Sequence, residues 1–225
     1  MRISNIHIEN FRGLKEIDLT PSQMNCLIGE NNAGKSTALL AINLFLNGTR
    51  ISESDYYDKS KEIFIDITFS DLNEDDLNKI SDEENRSRIQ NIIENNTIRF
   101  RRKYKLDFTS DLLCYKKVPI DTIYKANWIA NELKGKKAAE IKVLMRDTYQ
   151  LPKDIASSIS TQTGAKEKIE ELISELTEDK FQYDWENLPT GFSNTVTPMF
   201  PEPIYIPAVK DFSDETKNQR KYKFW

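Results

Sequence analysis

Apolar and polar positions alternate along the first seventy residues in a way that predicts strands, and one helix interrupts them. Ile3, Ile6 and Ile8 mark a strand over 2–8, and Asn10-Phe11-Arg12-Gly13 reads as a turn. Leu14, Ile17 and Leu19 mark a second strand that Pro21 ends. The short run Asn25-Cys26-Leu27-Ile28 stops at Gly29, the pattern of a buried strand. From Lys35 the sequence STALLAINLFLN is apolar on nearly every side and stops at Gly48. It predicts a helix buried on two faces, with Gly48 as its C-terminal cap. Residues 62–69 alternate strictly, with Ile63, Ile65 and Ile67 on one face and Phe64 and Asp66 on the other. That is a strand, with Asp66 on its solvent side.

Beyond residue 70 the periods mix. The acidic stretch 71–84 caps and opens a helix running to about Asn95. Residues 97–105 and 111–118 read as an antiparallel pair, and 126–150 and 165–178 as two helices. The second carries an apolar stripe at Ile169, Leu172, Ile173 and Leu176. Pro189, Pro198, Pro201 and Pro203 make the next segment irregular, Ile204-Tyr205-Ile206 reads as a short strand, and the last residues as polar loop or helix start. The fold class expected is α/β, an N-terminal sheet with a helical insertion. The boundaries are 1–120 for the N-terminal part, 121–188 for the insertion and 189–225 for the return to the first domain.

Composition narrows the setting. The chain has 225 residues, 38% hydrophobic and 30% charged, enough to bury a core. A net charge of −4 gives no whole-chain attraction to nucleic acid, so such a contact needs a local basic patch. Cys26 and Cys114 lie far apart and form neither a disulfide framework nor a zinc motif. No apolar run approaches the roughly 18 residues of a membrane span, so a cytoplasmic protein with no membrane contact is expected.

The chemistry concentrates at 29–36, Gly-Glu-Asn-Asn-Ala-Gly-Lys-Ser, a match to G-x-x-x-x-G-K-[ST]. Gly29 and Gly34 let the backbone curl so that N–H groups face phosphates, with Asn31, Asn32 and Ala33 forming the arc between them. Lys35 brings a point charge to the β- and γ-phosphates. The Ser36 hydroxyl suits Mg²⁺, and Thr37 adds a phosphate contact. The helix start supplies the positive end of its dipole. An apolar run before the loop and an apolar helix after it are the context this motif requires. ATP and Mg²⁺ are the cofactors expected.

The series Ile6-His7-Ile8-Glu9-Asn10-Phe11-Arg12-Gly13, a short strand, then Leu27-Ile28-Gly29-Glu30-Asn31-Asn32-Ala33-Gly34-Lys35-Ser36-Thr37 resembles the ATPases of the RecF, SMC and OLD group. The loop, and Ile204-Tyr205-Ile206-Pro207-Ala208-Val209-Lys210-Asp211, resemble the OLD (overcoming lysogenisation defect) family in particular. The resemblance runs over about 1–70 and 200–211, with little in the middle. It implies an ABC-type ATPase in which Asn10, Phe11 and Arg12 line the ATP site, Arg12 near phosphate. It further implies a C-terminal Toprim nuclease, dimerisation of ATPase heads through helical insertions, a nucleic-acid substrate, a defence partner protein and a role against phage.

No late apolar strand ending in Asp-Glu, no signature loop and no Toprim carboxylate set is recognised in the sequence. No catalytic residue is therefore assigned within the chain, which reads as truncated and very weak in hydrolysis alone. A RecF- or SMC-like repair ATPase, and a non-hydrolysing nucleotide-dependent assembly module, stay open. Arg99, Arg101, Lys103 and Lys105, with Arg102, Lys116 and Lys117, form either a DNA-contacting patch or the wet face of a hairpin. His7 has no metal-spaced partner along the chain.

Overall fold

The computed structural model describes residues 1–188 and 195–204. Six strands form one antiparallel sheet: β1 (Arg2–Phe11), β2 (Leu14–Leu19), β3 (Ile63–Ser70), β4 (Ile98–Tyr104), β5 (Ser110–Pro119) and β6 (Phe181–Asn187). Their spatial order is β2-β1-β3-β4-β5-β6. The alternation read from the sequence survives as burial. Ile63, Ile65 and Ile67 are fully buried on one face, in line with Ile6, Ile8, Phe100 and Cys114 of the neighbouring strands.

Helix α1 (Lys35–Asn47) packs against this face through Ala38, Ala41, Leu44, Phe45 and Leu46. Gly48 ends it as expected, at φ 62° and with its N–H donated to the Leu44 carbonyl. Space is a second reason for glycine there, because a Cβ would lie 3.1 Å from the Arg102 guanidinium. That guanidinium donates Nε to the Phe45 carbonyl at 2.9 Å, a cation placed at the negative end of α1. Arg102 therefore does not join a basic patch with Arg99 and Arg101. Its even register on β4 puts it in the core. Beside it, burial pushes the Tyr104 phenol up, so the hydroxyl stays a neutral donor to the Leu44 carbonyl. Phe200, from the proline-bearing segment, closes the core by stacking on Phe69 with ring centroids 5.2 Å apart.

The helices of the middle are shorter than expected. The acidic stretch gives α2 (Glu74–Asn78) and α3 (Glu83–Gln90), each started by an Asn or Asp cap. Residues 126–150 divide into α4 (Ala126–Leu133) and α5 (Ala138–Asp147), because Gly135 turns the chain at φ 74°. Helices α6 (Lys153–Ser158) and α7 (Gln162–Ser174) follow. Leu133, Ile141, Leu144, Met145 and Ile169 form a second apolar cluster, separate from the core of the sheet. Strand β6, too polar to be expected, then pairs with β5. The strand expected at 204–206 lies outside the described residues from Tyr205 onward, and Ile204 is exposed.

Two other expectations need correction. Residues 25–28 pair with no strand among the described residues, and Met24 and Ile28 are 89% and 90% exposed. A strand needs a partner for its backbone groups, and apolar composition does not supply one. Among the described residues Leu39 of α1 stays exposed, beside Leu27 and Ile42.

Asp66 is on the outer face, as its parity requires, but it is buried. Its carboxylate accepts two hydrogen bonds from Arg101, at 2.6 and 2.8 Å, and one from Arg99 at 2.9 Å. Trp185 covers both guanidinium groups, at 4.2 and 5.0 Å from its ring. Lys103 pairs with Glu62, Lys105 with Asp111 and Lys117 with Glu178. These cations are thus mostly balanced within the sheet, which supports the hairpin-face reading of the cluster. Replacing Asp66 by Ala strands two part-buried cations and is expected to cost about 3 kcal/mol. Urea unfolding checks this; a midpoint close to wild type would show that the cluster is dispensable.

Candidate nucleotide-binding site

The loop before α1 turns through a backbone hydrogen bond and two left-handed residues. The Ala33 N–H bonds the Glu30 carbonyl at 3.2 Å, and Asn32 and Gly34 take φ 72° and 86°. Gly29 has room for no more than hydrogen without crowding, since a Cβ would lie 3.3 Å from that of Ala33. Gly34 is held to glycine by its backbone, and Leu14 packs on it. Its φ is left-handed, and a Cβ would come within 2.6 Å of Leu14 Cδ2. The first hairpin therefore rests directly on the loop.

Lys35 lies along the concave side of the loop, its Nζ donating to the carbonyls of Gly29 at 2.7 Å and Glu30 at 2.6 Å. Ser36 is exposed and Thr37 half-buried in the first turn of α1. The Ala38 N–H is bonded to the Gly34 carbonyl, so the N–H groups ahead of it have no acceptor inside the helix. An ammonium, several free N–H groups and two hydroxyls on one concave strip form a donor set for phosphate oxygens. The Ser36 hydroxyl adds an oxygen ligand suited to a hard cation.

The turn after β1 is built unusually. Asn10 and Arg12 both have positive φ, 62° and 51°, which non-glycine residues rarely adopt. Asn10 is buried, and its amide donates toward the carbonyls of Asp58, Lys61 and Glu62 while its oxygen accepts the Asp58 N–H. Phe11 is a core residue. These two thus support the turn from within, and of the three expected at the ATP site only Arg12 is accessible, its side chain 46% exposed. Its Nε bonds Asp55 Oδ1 at 2.7 Å, and its backbone N–H bonds the Asp55 carbonyl. Sequence spacing gave no hint of Asp55, which is 43 residues away in the chain.

Cross-strand register also brings together what spacing along the chain kept apart. His7 faces Asp18, its Nδ1 3.0 Å from the carboxylate, and the ligand atoms of His7, Glu16 and Asp18 lie within 4.8 Å of one another. The carboxylates are exposed, on the edge hairpin. Both cysteines are free, Cys26 exposed and Cys114 buried. Among the described residues no helix is long and apolar enough to cross a membrane.

The family model described as an AAA ATPase domain matches residues 1–224. The chain belongs to that family. An ATPase domain implies nucleotide binding. Old nuclease of Escherichia phage P2 is 25% identical over 218 residues, 96% of this chain and 27% of that protein. The OLD resemblance is thus borne out, and it runs through the middle of the chain, where the sequence motifs showed little. The chain spans about a quarter of the length of that relative. An uncharacterised protein of Methanocaldococcus jannaschii is 50% identical over 46 residues, 20% of this chain and 21% of that protein. Two solved structures align with TM-scores of 0.36 and 0.37, at 15% and 16% identity. One concerns ATP-driven dimerisation and DNA-stimulated activation of SMC ATPases, and covers 78% of this chain and 92% of its own. The other is an SMC head bound to the C-winged helix domain of ScpA, and covers 88% and 74%.

Gly34→Ala forces a Cβ against Leu14 in a left-handed backbone, and is expected to cost about 1–3 kcal/mol. In the same variant, nucleotide affinity should fall by more than the stability loss explains. Titration with ATP under conditions where the variant is fully folded checks it; unchanged affinity would show that the curl of the loop is not what binds.

Proposed function

We propose that this AAA ATPase domain binds ATP with Mg²⁺ on the strip formed by Gly29, Asn31, Asn32, Ala33, Gly34, Lys35, Ser36 and Thr37, with Arg12 beside it. The observation that carries the reading is the junction of loop and helix. A left-handed Gly34 turns the backbone directly into α1, so the free N–H groups, the Lys35 ammonium and the helix dipole all converge there. Lys35 exchanges the loop carbonyls for phosphate oxygens, Ser36 offers its hydroxyl to the cation, and Thr37 steadies a phosphate. When bound, Mg²⁺ neutralises phosphate charge and orients the terminal phosphoryl group.

The wider role proposed is the N-terminal ATPase part of an OLD-type ATP-dependent nuclease, an ABC-type ATPase that gates a Toprim domain, acting in the cytoplasm in defence against phage. The relation to Old nuclease along almost the whole chain supports it. In this proposal the ATPase heads dimerise on ATP and the complete protein acts on nucleic acid, with a partner defence protein. Turnover needs an acidic strand and a signature loop, for which the sequence provides no match.

Lys35→Ala removes the only side-chain ammonium on the loop and is expected to lower ATP affinity by at least a hundredfold, about 3 kcal/mol or more. Calorimetric titration of the chain with Mg–ATP checks this. Affinity within a factor of two of wild type would place the nucleotide elsewhere, and brisk turnover by the chain alone would contradict the absence of catalytic residues from it.

A further inference from the structure

Why the chain holds two positive-φ positions at 10 and 12, flanking Phe11, is not explained by apolar packing, since Phe11 is the one apolar residue of the three and Asn10 is buried through hydrogen bonds. Strain of this kind persists where the surroundings over-determine it, and it concentrates at functional sites. The surroundings here are a single segment. The 3₁₀ turn Glu53–Asp55 and the residues to Glu62 grip the turn of the first hairpin from one side. The Arg12 N–H goes to the Asp55 carbonyl at 2.7 Å, and the Tyr57 N–H to the Asn10 carbonyl at 3.1 Å. Phe11 bridges to Tyr56, and the Asn10 side chain makes its bonds to 58–62.

Within that grip Asp55 divides its carboxylate. Oδ2 accepts the Ser52 N–H at 2.8 Å and the Ser52 hydroxyl at 3.0 Å, which fixes the group as the cap of its own turn. Oδ1 is bonded to Arg12 Nε at 2.7 Å. The Asp55 side chain is nearly buried and that of Arg12 nearly half exposed, so the carboxylate is the fixed member and the guanidinium the presented one. The Phe11 ring lies 5.6 Å from the guanidinium carbon and limits its swing on another side. Engagement through Nε leaves the two terminal nitrogens of this half-exposed side chain available as donors. Two residues further on, Leu14 touches the Cβ position of Gly34 at the phosphate loop.

We propose that Asp55 is a positioning residue for nucleotide binding: it aims Arg12 so that the terminal guanidinium nitrogens meet a phosphate of ATP held on the 29–37 loop. This rests on the proposed nucleotide site. Asp55 does not itself touch the nucleotide. A carboxylate left beside an anion would repel it, and here its charge is spent on Arg12 and the Ser52 N–H.

The test is a double-mutant cycle on the 225-residue chain, read as affinity for Mg–ATP and, by competition, for AMP. Wild type and Lys35→Ala come first, since absence of ATP binding by wild type would defeat the site assignment and not this inference. Given binding, Asp55→Asn is expected to weaken Mg–ATP about tenfold and leave AMP nearly unchanged. In an Arg12→Ala background the same substitution should have no further effect. Arg12→Lys should also bind weakly, because one ammonium cannot serve Asp55 and a phosphate with a rigid fork. Equal weakening of ATP and AMP, or an Asp55 effect undiminished without Arg12, would reduce Asp55 to a structural residue and overturn the proposal. So would unchanged or tighter ATP binding by Asp55→Asn. A urea midpoint for each variant separates these outcomes from loss of fold.

Discussion

The left-handed turn at Gly34 is the constraint on which the loop and the start of α1 depend. Glycine adopts the φ of 86° there without strain, and the Leu14 side chain packs into the space that a Cβ would take. That turn joins the loop that carries Lys35 to the helix whose apolar residues cover the sheet, and Leu14, two residues after Arg12, packs against it.

The sheet itself does less chemistry and more bracing. One face is occupied by isoleucines and phenylalanines under α1, and the other by a buried carboxylate with two arginines beneath an indole ring. Burial of Asp66 would be costly without these partners, and the three charge-assisted bonds offset it. The result is a stiff platform whose inner strands, β1 and β3, hold the segment 52–62 against the turn at 10–13.

Much of this was legible in the sequence where a single period decides the outcome. The isoleucines of β3, the span of β2 and the end of α1 at Gly48 follow from alternation, proline and glycine placement alone. Failures came where a partner distant in sequence decides. Parity put Asp66 on the outer face but could not tell that Trp185 would cover its arginines, because β6 is too polar to be seen as a strand. Arg102 was grouped with its neighbours by proximity, although its parity points it at the carbonyl of Phe45. Leu27 and Ile28 read as buried strand, yet no described strand pairs with them. The 29–36 motif can be read from the sequence because its spacing is local, whereas the grip of Asp55 on Arg12 spans 43 residues and leaves no spacing to read.

The central claim is that loop and hairpin turn form one phosphate-binding unit, and amide hydrogen exchange with and without Mg–ATP tests it most directly. The account predicts that nucleotide slows exchange together at 31–37 and at 10–14, with little change in the helices between 126 and 174. Protection confined to the loop, with the hairpin turn indifferent to nucleotide, would contradict it.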